Sequence, residues 1–208
     1  NQSKFENYSL NFDSGFPWLE LESTADPLPV FTPQDKKFSV SMWIKPDDAT
    51  PAANEYLYYI MSAGGAGKLG FWLDTTGKIN FRVYSGVAQK TITSTDTLSD
   101  NTWYHIVAVY DSTEDTALDR MKLYVNGEQI TDLATTTNPD QNHQGNINNT
   151  IPHAVGAVYA GQLYNPFDGY LSDVHFIDGT ALTPASFGTT GAYGEWKPKK
   201  YGGSYGTN

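Results

Sequence analysis

The sequence predicts an all-β fold, a two-sheet antiparallel β-sandwich of jelly-roll type. Three observations carry this. Apolar and polar residues alternate with a period of two almost everywhere, and no stretch holds a helical period. Gly, Pro, Asn and Asp interrupt the alternation at short intervals, as turns between many short strands require. Residues 103–110 are apolar or aromatic at nearly every position, so that strand must be covered on both faces.

The elements follow in order. Short strands are predicted over 8–12 and 18–21. Phe38, Val40, Met42 and Ile44 then alternate with Ser39, Ser41, Trp43 and Lys45, one face buried and one exposed or lining a groove. A strand over 56–63 carries Tyr56-Leu-Tyr-Tyr59, which suits either a protein-contact stripe or a core strand with hydroxyls at its rim. Leu69, Phe71 and Leu73 alternate with Gly70 and Trp72; Asp74-Thr-Thr-Gly77 turns the chain; Ile79, Phe81 and Val83 then alternate with Asn80, Arg82 and Tyr84. Strands over 87–95, 103–110 and 121–125 come next. Asn126-Gly127 supplies the two positive-φ residues of a tight hairpin onto a third strand. Strands over 151–159 and 170–177 complete the set. In the last, Leu171 and Val174 both suit the interior but stand three apart, which predicts a bulge at Ser172-Asp173.

Two segments break the pattern. Residues 138–150 are almost wholly polar and too long for a hairpin turn, so they are expected to be exposed or held by a partner. Beyond 190 the chain becomes rich in Gly, Tyr and Lys without periodicity. The domain is therefore read as 1–190, and 191–208 as a connector to further protein.

Composition narrows the function. The chain has 208 residues, a formal charge of −10 and a pI near 4.6, against nucleic-acid backbone and anionic membrane surfaces as partners. No apolar run approaches the ~18 residues of a helical membrane span. With no cysteine, disulfides and thiolate metal sites are excluded, and a bacterial or viral source is expected.

At this point the residues resemble a family. Phe38-Ser-Val-Ser-Met-Trp-Ile-Lys-Pro46, the hairpin from Gly70 to Phe81, Trp103-Tyr-His-Ile-Val-Ala-Val-Tyr-Asp111 with Lys122-Leu-Tyr-Val-Asn-Gly-Glu128, and Phe167-Asp-Gly-Tyr-Leu-Ser-Asp-Val-His-Phe176 followed by Ala181-Leu-Thr-Pro184 stand in that order. Together they resemble the laminin-G-like, concanavalin A-like lectin and glucanase jelly rolls, over about 8–187. The resemblance implies two antiparallel sheets, one concave. Residues 174–188 and 194–208 further resemble a junction in virion proteins of bacteriophages, marine ones especially, where a jelly roll leads into tail-fibre or capsid-associated sequence.

That resemblance also raises the question of catalysis, since glucanases share the fold. The glucanase pattern puts two Glu and an Asp on alternate positions of one strand, and no such triplet exists here. Glu114, Asp115 and Asp119 lie in a polar excursion without alternation, and no Gly-x-Ser-x-Gly supports a serine nucleophile. No enzyme activity is expected. The resemblance implies one structural calcium, for which Asp168 and Asp13 are the candidates. The bland alternative is that Asp168 only shapes the turn with Gly169.

Sugar recognition needs rings for apolar faces and amides or carboxylates for hydroxyls. Trp72, Tyr84, Tyr159 and Tyr164, with Asn138, Asp140, Asn142, His143 and Gln162, have that chemistry. Trp72 and Tyr84 could equally be ordinary cross-strand pairs. The expectation is therefore a non-enzymatic module at a virion surface, in a tail fibre or on a capsid, binding host-surface glycan or neighbouring virion proteins and oligomeric in its full-length form. The alternatives are a secreted or bacterial cell-surface carbohydrate-binding or adhesion module and, disfavoured, a polysaccharide-degrading domain.

Overall fold

The computed structural model describes residues 10–12, 19–21, 36–61, 67–85, 88–145, 147, 153–159 and 163–206. The strands are β1 (Leu10–Phe12), β2 (Leu19–Leu21), β3 (Lys37–Pro46), β4 (Glu55–Met61), β5 (Gly67–Leu73), β6 (Lys78–Ser85), β7 (Ala88–Thr97), β8 (Tyr104–Asp111), β9 (Met121–Val125), β10 (Glu128–Gln129), β11 (Leu133–Thr136), β12 (His153–Val155), β13 (Val158–Tyr159), β14 (Leu163–Tyr164), β15 (Gly169–Asp178), β16 (Gly188–Thr190) and β17 (Trp196–Pro198). One sheet has six strands in the order β1-β15-β3-β8-β9-β10; the other has seven, β11-β7-β6-β5-β4-β12-β2. Two ribbons, β13-β14 and β16-β17, stand apart from both sheets. Helix among the described residues is confined to single 3₁₀ turns at Ala117–Asp119 and Pro184–Ser186.

The period-two pattern explains the core. Phe38, Val40, Met42 and Ile44 of β3 and Ile106, Ala108 and Tyr110 of β8 meet Leu69, Phe71 and Leu73 of β5 and Ile79, Phe81 and Val83 of β6. Phe38 joins the layers: it stacks on Tyr110 with centroids 4.9 Å apart and meets Phe81 edge-on at 6.1 Å. Each such ring contributes about 2–3 kcal/mol through burial.

The turns form where the residue types demand them. Asn126 and Gly127 both have positive φ, 49° and 89°, and close β9 onto β10. In β15 the register with β3 shifts between Ser172 and His175, where the sequence predicts a bulge, and Asp173 takes a φ of 47°. The shift leaves Leu171 opposite Ile44 and Phe176 opposite Val40, both on the core side. The strand read over 151–159 is two strands, β12 and β13, divided by Gly156 at φ 81°.

β3 and β8 are buried on both faces, and the C-terminal segment explains the second cover. Val107, Val109 and Ile177 form an outer cluster with Phe187, packed by Tyr124, Ala181, Leu182 and Tyr201. The Ser39 hydroxyl donates to the Thr180 carbonyl at 2.9 Å and accepts the Leu182 N–H at 2.7 Å. Within the segment read as a connector, Trp196, Tyr201 and Tyr205 pack their rings against this outer face. β17 pairs with β16, and the Trp196 ring rests on Gly127 and Gly188, where a Cβ at either glycine would collide with it. The segment shows no period in sequence because it covers the sheet with single rings, Phe187, Trp196, Tyr201 and Tyr205, instead of a strand face.

Candidate functional site: the outer face of the seven-stranded sheet

With the six-stranded sheet largely roofed by its own chain, the other outward face comes from β4, β5, β6 and β7. Opposite parity puts Leu69, Phe71, Ile79 and Phe81 inward, and Gly70, Trp72, Asn80 and Arg82 outward. Register then aligns two lateral rows. One runs Tyr56–Trp72–Asn80–Thr93, and the next runs Ala154–Tyr59–Gly70–Arg82–Thr91. Tyr84 follows, opposite Gln89.

The first row is a ring pair continued by a polar ladder. Tyr56 lies over Trp72 with centroids 5.6 Å apart and meets Tyr59 edge-on at 5.0 Å. The Thr93 hydroxyl donates to Asn80 Oδ1 at 2.7 Å, and Asn80 Nδ2 donates to Asp74 Oδ2 at 3.0 Å. Burial alone would raise the Asp74 carboxyl. The Thr76 hydroxyl, the Asn80 amide and the Thr76 and Lys78 N–H groups outweigh it and hold the group below the usual carboxylate range. This ladder is internally satisfied.

The second row is not. Gly70 carries no side chain, so the flanks of Trp72 and Tyr59 close over it. The Arg82 guanidinium sits 4.6 Å from the Trp72 ring centroid, and its Nε donates to the Thr91 hydroxyl at 3.1 Å. Among the described residues no hydrogen bond or ion pair engages its two terminal nitrogens. Burial raises the Tyr56 hydroxyl pKa and pushes that of Tyr59 up to about 12, with a hydrogen bond to Tyr84 adding to the latter. Both phenols therefore remain neutral donors and acceptors at any physiological pH.

The candidate residues read from the sequence fall as follows. Trp72 is 4 % exposed, a base for Tyr56 and Arg82 more than a free platform. Tyr84 is half-buried, and its carbonyl accepts the His143 Nε2–H at 3.3 Å, which ties the polar loop to the end of β6. The loop is anchored by its own sandwich. The His143 carbonyl accepts the Tyr110 hydroxyl at 3.0 Å, the Asn142 N–H donates to the Ser112 carbonyl at 2.7 Å, and Lys36 Nζ donates to Asn142 Oδ1 at 3.0 Å. Asn138 turns its Oδ1 inward and Ile147 enters the core, while Asp140 is exposed. Tyr164, 43 % exposed, stands on the β13-β14 ribbon beside the Tyr56 end of the face, where the Tyr56 N–H donates to the Asn165 carbonyl at 3.1 Å. The Tyr159 backbone lies in β13; Gln162 and Asp13 lie outside the described residues.

Sequence reading missed Arg82, Tyr56 and Tyr59 as members of one patch. The signal was present: Arg82 stands at outward parity in β6, two residues before Tyr84, in a chain with only two arginines. What the sequence lacks is the lateral register that sets Arg82 level with Tyr59.

Other places offer less. Asp168 donates its N–H to Glu55 Oε2 at 3.2 Å, and its carbonyl accepts the Asp47 N–H at 3.1 Å. Burial raises the Glu55 carboxyl to about 7, with Asp168, Asp48 and Asp47 adding to the shift. Among the described residues no three carboxylate or imidazole side chains converge on one position. Glu55 pairs with Leu73, at the parity opposite to Tyr56, and does not share the aromatic face. A cavity of about 390 Å³ opens at the rim between the sheets, lined by Ile79, Leu98, Val125 and Ile130. Of its polar lining, the Ser94 hydroxyl bonds the Ile79 N–H and the Asp96 carbonyl.

The fold has wide company. A carbohydrate-binding domain of the Ruminococcus gnavus intramolecular trans-sialidase, bound to α2,3-sialyllactose, superposes with a TM-score of 0.60 at 12% identity, over 85% of this chain and 92% of that one. A heptameric pentraxin from Limulus polyphemus gives 0.58 at 20% identity, over 83% and 76%. Mouse laminin α1 domains LG4-5 give 0.53 at 17%, over 84% and 44%. No curated protein sequence matches the chain. A family model described as "Concanavalin A-like lectin/glucanases superfamily" matches residues 20–186. With four fifths of its length inside that match and two antiparallel sheets stacked as the family requires, the chain belongs to the concanavalin A-like lectin/glucanases superfamily.

Proposed function

We propose that the protein is a non-enzymatic carbohydrate-binding module whose ligand lies across the Tyr56–Tyr59–Arg82–Tyr84 face. The observation that carries this is the second lateral row. The neutral phenol of Tyr59 and the Tyr84 side chain adjoin a guanidinium whose terminal donors no described residue engages, over a base of Trp72. Rings that offer apolar area beside fixed donors are what a pyranose needs. The carbohydrate-binding neighbour that carries sialyllactose supports the same class of ligand. Catalysis is disfavoured because no strand of this face presents paired carboxylates.

Resemblance of 174–188 and 194–208 to phage virion junctions supports a finer reading, a virion-surface module that recognises host glycan. A secreted or bacterial cell-surface adhesion module uses the same face in the same way. A protein-contact reading has its own observation. Trp103, 40 % exposed, Tyr170 and the Lys45 ammonium, 4.9 Å from the Tyr170 ring centroid, form a stripe on the other sheet beyond the outer cluster.

The test is a glycan array probed with the protein displayed multivalently. Binding to a defined glycan class, competed by the free sugar, is expected. A blank array together with saturable binding to a purified virion or cell-surface protein would overturn the carbohydrate reading.

A further inference from the structure

The chain has two arginines, and they are used in opposite ways. Arg120 is a fastener. Its Nε donates to the Glu114 carbonyl at 2.9 Å, Nη1 to the Pro139 carbonyl at 3.0 Å and Nη2 to the Asp115 carbonyl at 3.0 Å, so every nitrogen holds backbone. Among the described residues Arg82 engages only Nε, on Thr91. Its plane rests on Trp72, and no carboxylate among the described residues pairs with it. This is an unusual state for a half-buried guanidinium in a chain of net charge −10, where acidic partners are plentiful.

The geometry limits what such a group can recognise. With Nε occupied, the open edge is the Nη1–Nη2 pair at the end of the fork. Two parallel N–H bonds from that edge match the two oxygens of a carboxylate. The ring beneath fixes the fork in place, so little freedom is lost when the pair forms. Tyr59 and Tyr84 stand on the same face as Arg82, and their hydroxyls can serve the hydroxyls of the same sugar.

We infer that the ligand of this face is an acidic glycan, and that Arg82 binds the carboxylate of one of its sugars end-on. This rests on the carbohydrate reading above and adds the substrate class. The acidic net charge disfavours dense polyanions at low salt, so isolated carboxylates in an otherwise neutral oligosaccharide suit the face better.

Matched probes test it. Binding of α2,3-sialyllactose is compared with lactose, and of trigalacturonate with its methyl ester, by titration calorimetry on the protein and on Arg82→Gln and Arg82→Lys. At least one acidic probe should bind tenfold or more tighter than its neutral match. Arg82→Gln should erase that preference, bringing the affinity for each acidic probe down to that for its neutral match. Arg82→Lys should restore charge without the fork and recover only part of it. Circular dichroism melts of both variants confirm that they fold. Neutral probes binding as tightly as acidic ones, or an acid preference that survives Arg82→Gln, would overturn the acidic class and leave glycan binding intact. Failure of all four probes, together with a blank array, would overturn both.

Discussion

The Trp196 indole N–H donates to Nδ1 of His105 at 3.0 Å, across the outer face of the six-stranded sheet. Because Nδ1 accepts, the proton of the neutral imidazole sits on Nε2, which donates to the Ser41 hydroxyl at 2.9 Å. The His105 ring stacks on Trp43 with centroids 5.1 Å apart and lies 6.0 Å from the Trp196 ring. Burial, with some contribution from His175, lowers its pKa to about 4. One residue of the C-terminal segment thus sets the tautomer of a buried histidine.

Trp196→Phe is expected to cost about 1–2 kcal/mol at pH 7, because the Nδ1 lone pair is left buried and unmet. Denaturant unfolding measures the cost, and imidazole ¹⁵N shifts report the tautomer. A wild-type spectrum with the proton on Nδ1 would refute the network.

His105 and His153 also set an acid limit. Burial lowers His153 to about 4 as well. A histidine whose folded pKa lies below its unfolded value of about 6.5 contributes fully above that value and loses the contribution as pH falls through about 4. Glu55 works the other way. Its folded pKa of about 7 exceeds the unfolded value of 4.5, so its contribution is full below 4.5 and is lost as pH rises through 7. Solvent screening of this partly buried group leaves about 1–2 kcal/mol. Glu55→Gln keeps an acceptor for the Asp168 N–H. It should stabilise the protein by about that amount at pH 8 and by almost nothing at pH 4. Thermal melts at the two pH values measure this, and an equal effect at both would contradict the burial argument.

The polar loop carries a third expectation. Its backbone bonds to Tyr110 and Ser112 survive side-chain truncation. Asn142, however, holds a φ of 60°, a conformation that costs most side chains about 1–2 kcal/mol. Replacing Asn142, His143 and Gln144 with Ala should therefore lower stability by roughly that much. A double variant that keeps Asn142 should lose less than half of it. Equal losses in the two would place the cost in the His143 contact with Tyr84.

Much of this molecule was legible before its structure. Alternation fixed the inward set of β3, β5 and β6, and the three-residue gap between Leu171 and Val174 marked the bulge in β15. Asn126-Gly127 marked its hairpin. Local pattern could not reveal cover supplied from afar. Trp196 reaches His105 across 91 residues of chain, and nothing in the spacing of either announces the contact. The site shows the same limit. Trp72 and Tyr84 stood out as rings, but Arg82 became their neighbour only through the register of β5 on β6 and β6 on β7. The polar loop read as exposed because its amides lack apolar neighbours in sequence. Its anchors, Lys36, Tyr110 and Ser112, come from the two ends of other strands.

The most direct measurement compares glycan binding after single substitutions on the two sheets. Tyr59→Ala and Tyr84→Ala strip the seven-stranded face; Trp103→Ala strips the exposed stripe of the six-stranded one. Against the glycan that the array selects, surface plasmon resonance should show tenfold or greater loss for each tyrosine variant and an unchanged response for Trp103→Ala. Loss confined to Trp103→Ala, with both tyrosine variants binding normally, would contradict the assignment of the ligand to the Tyr56–Arg82 face.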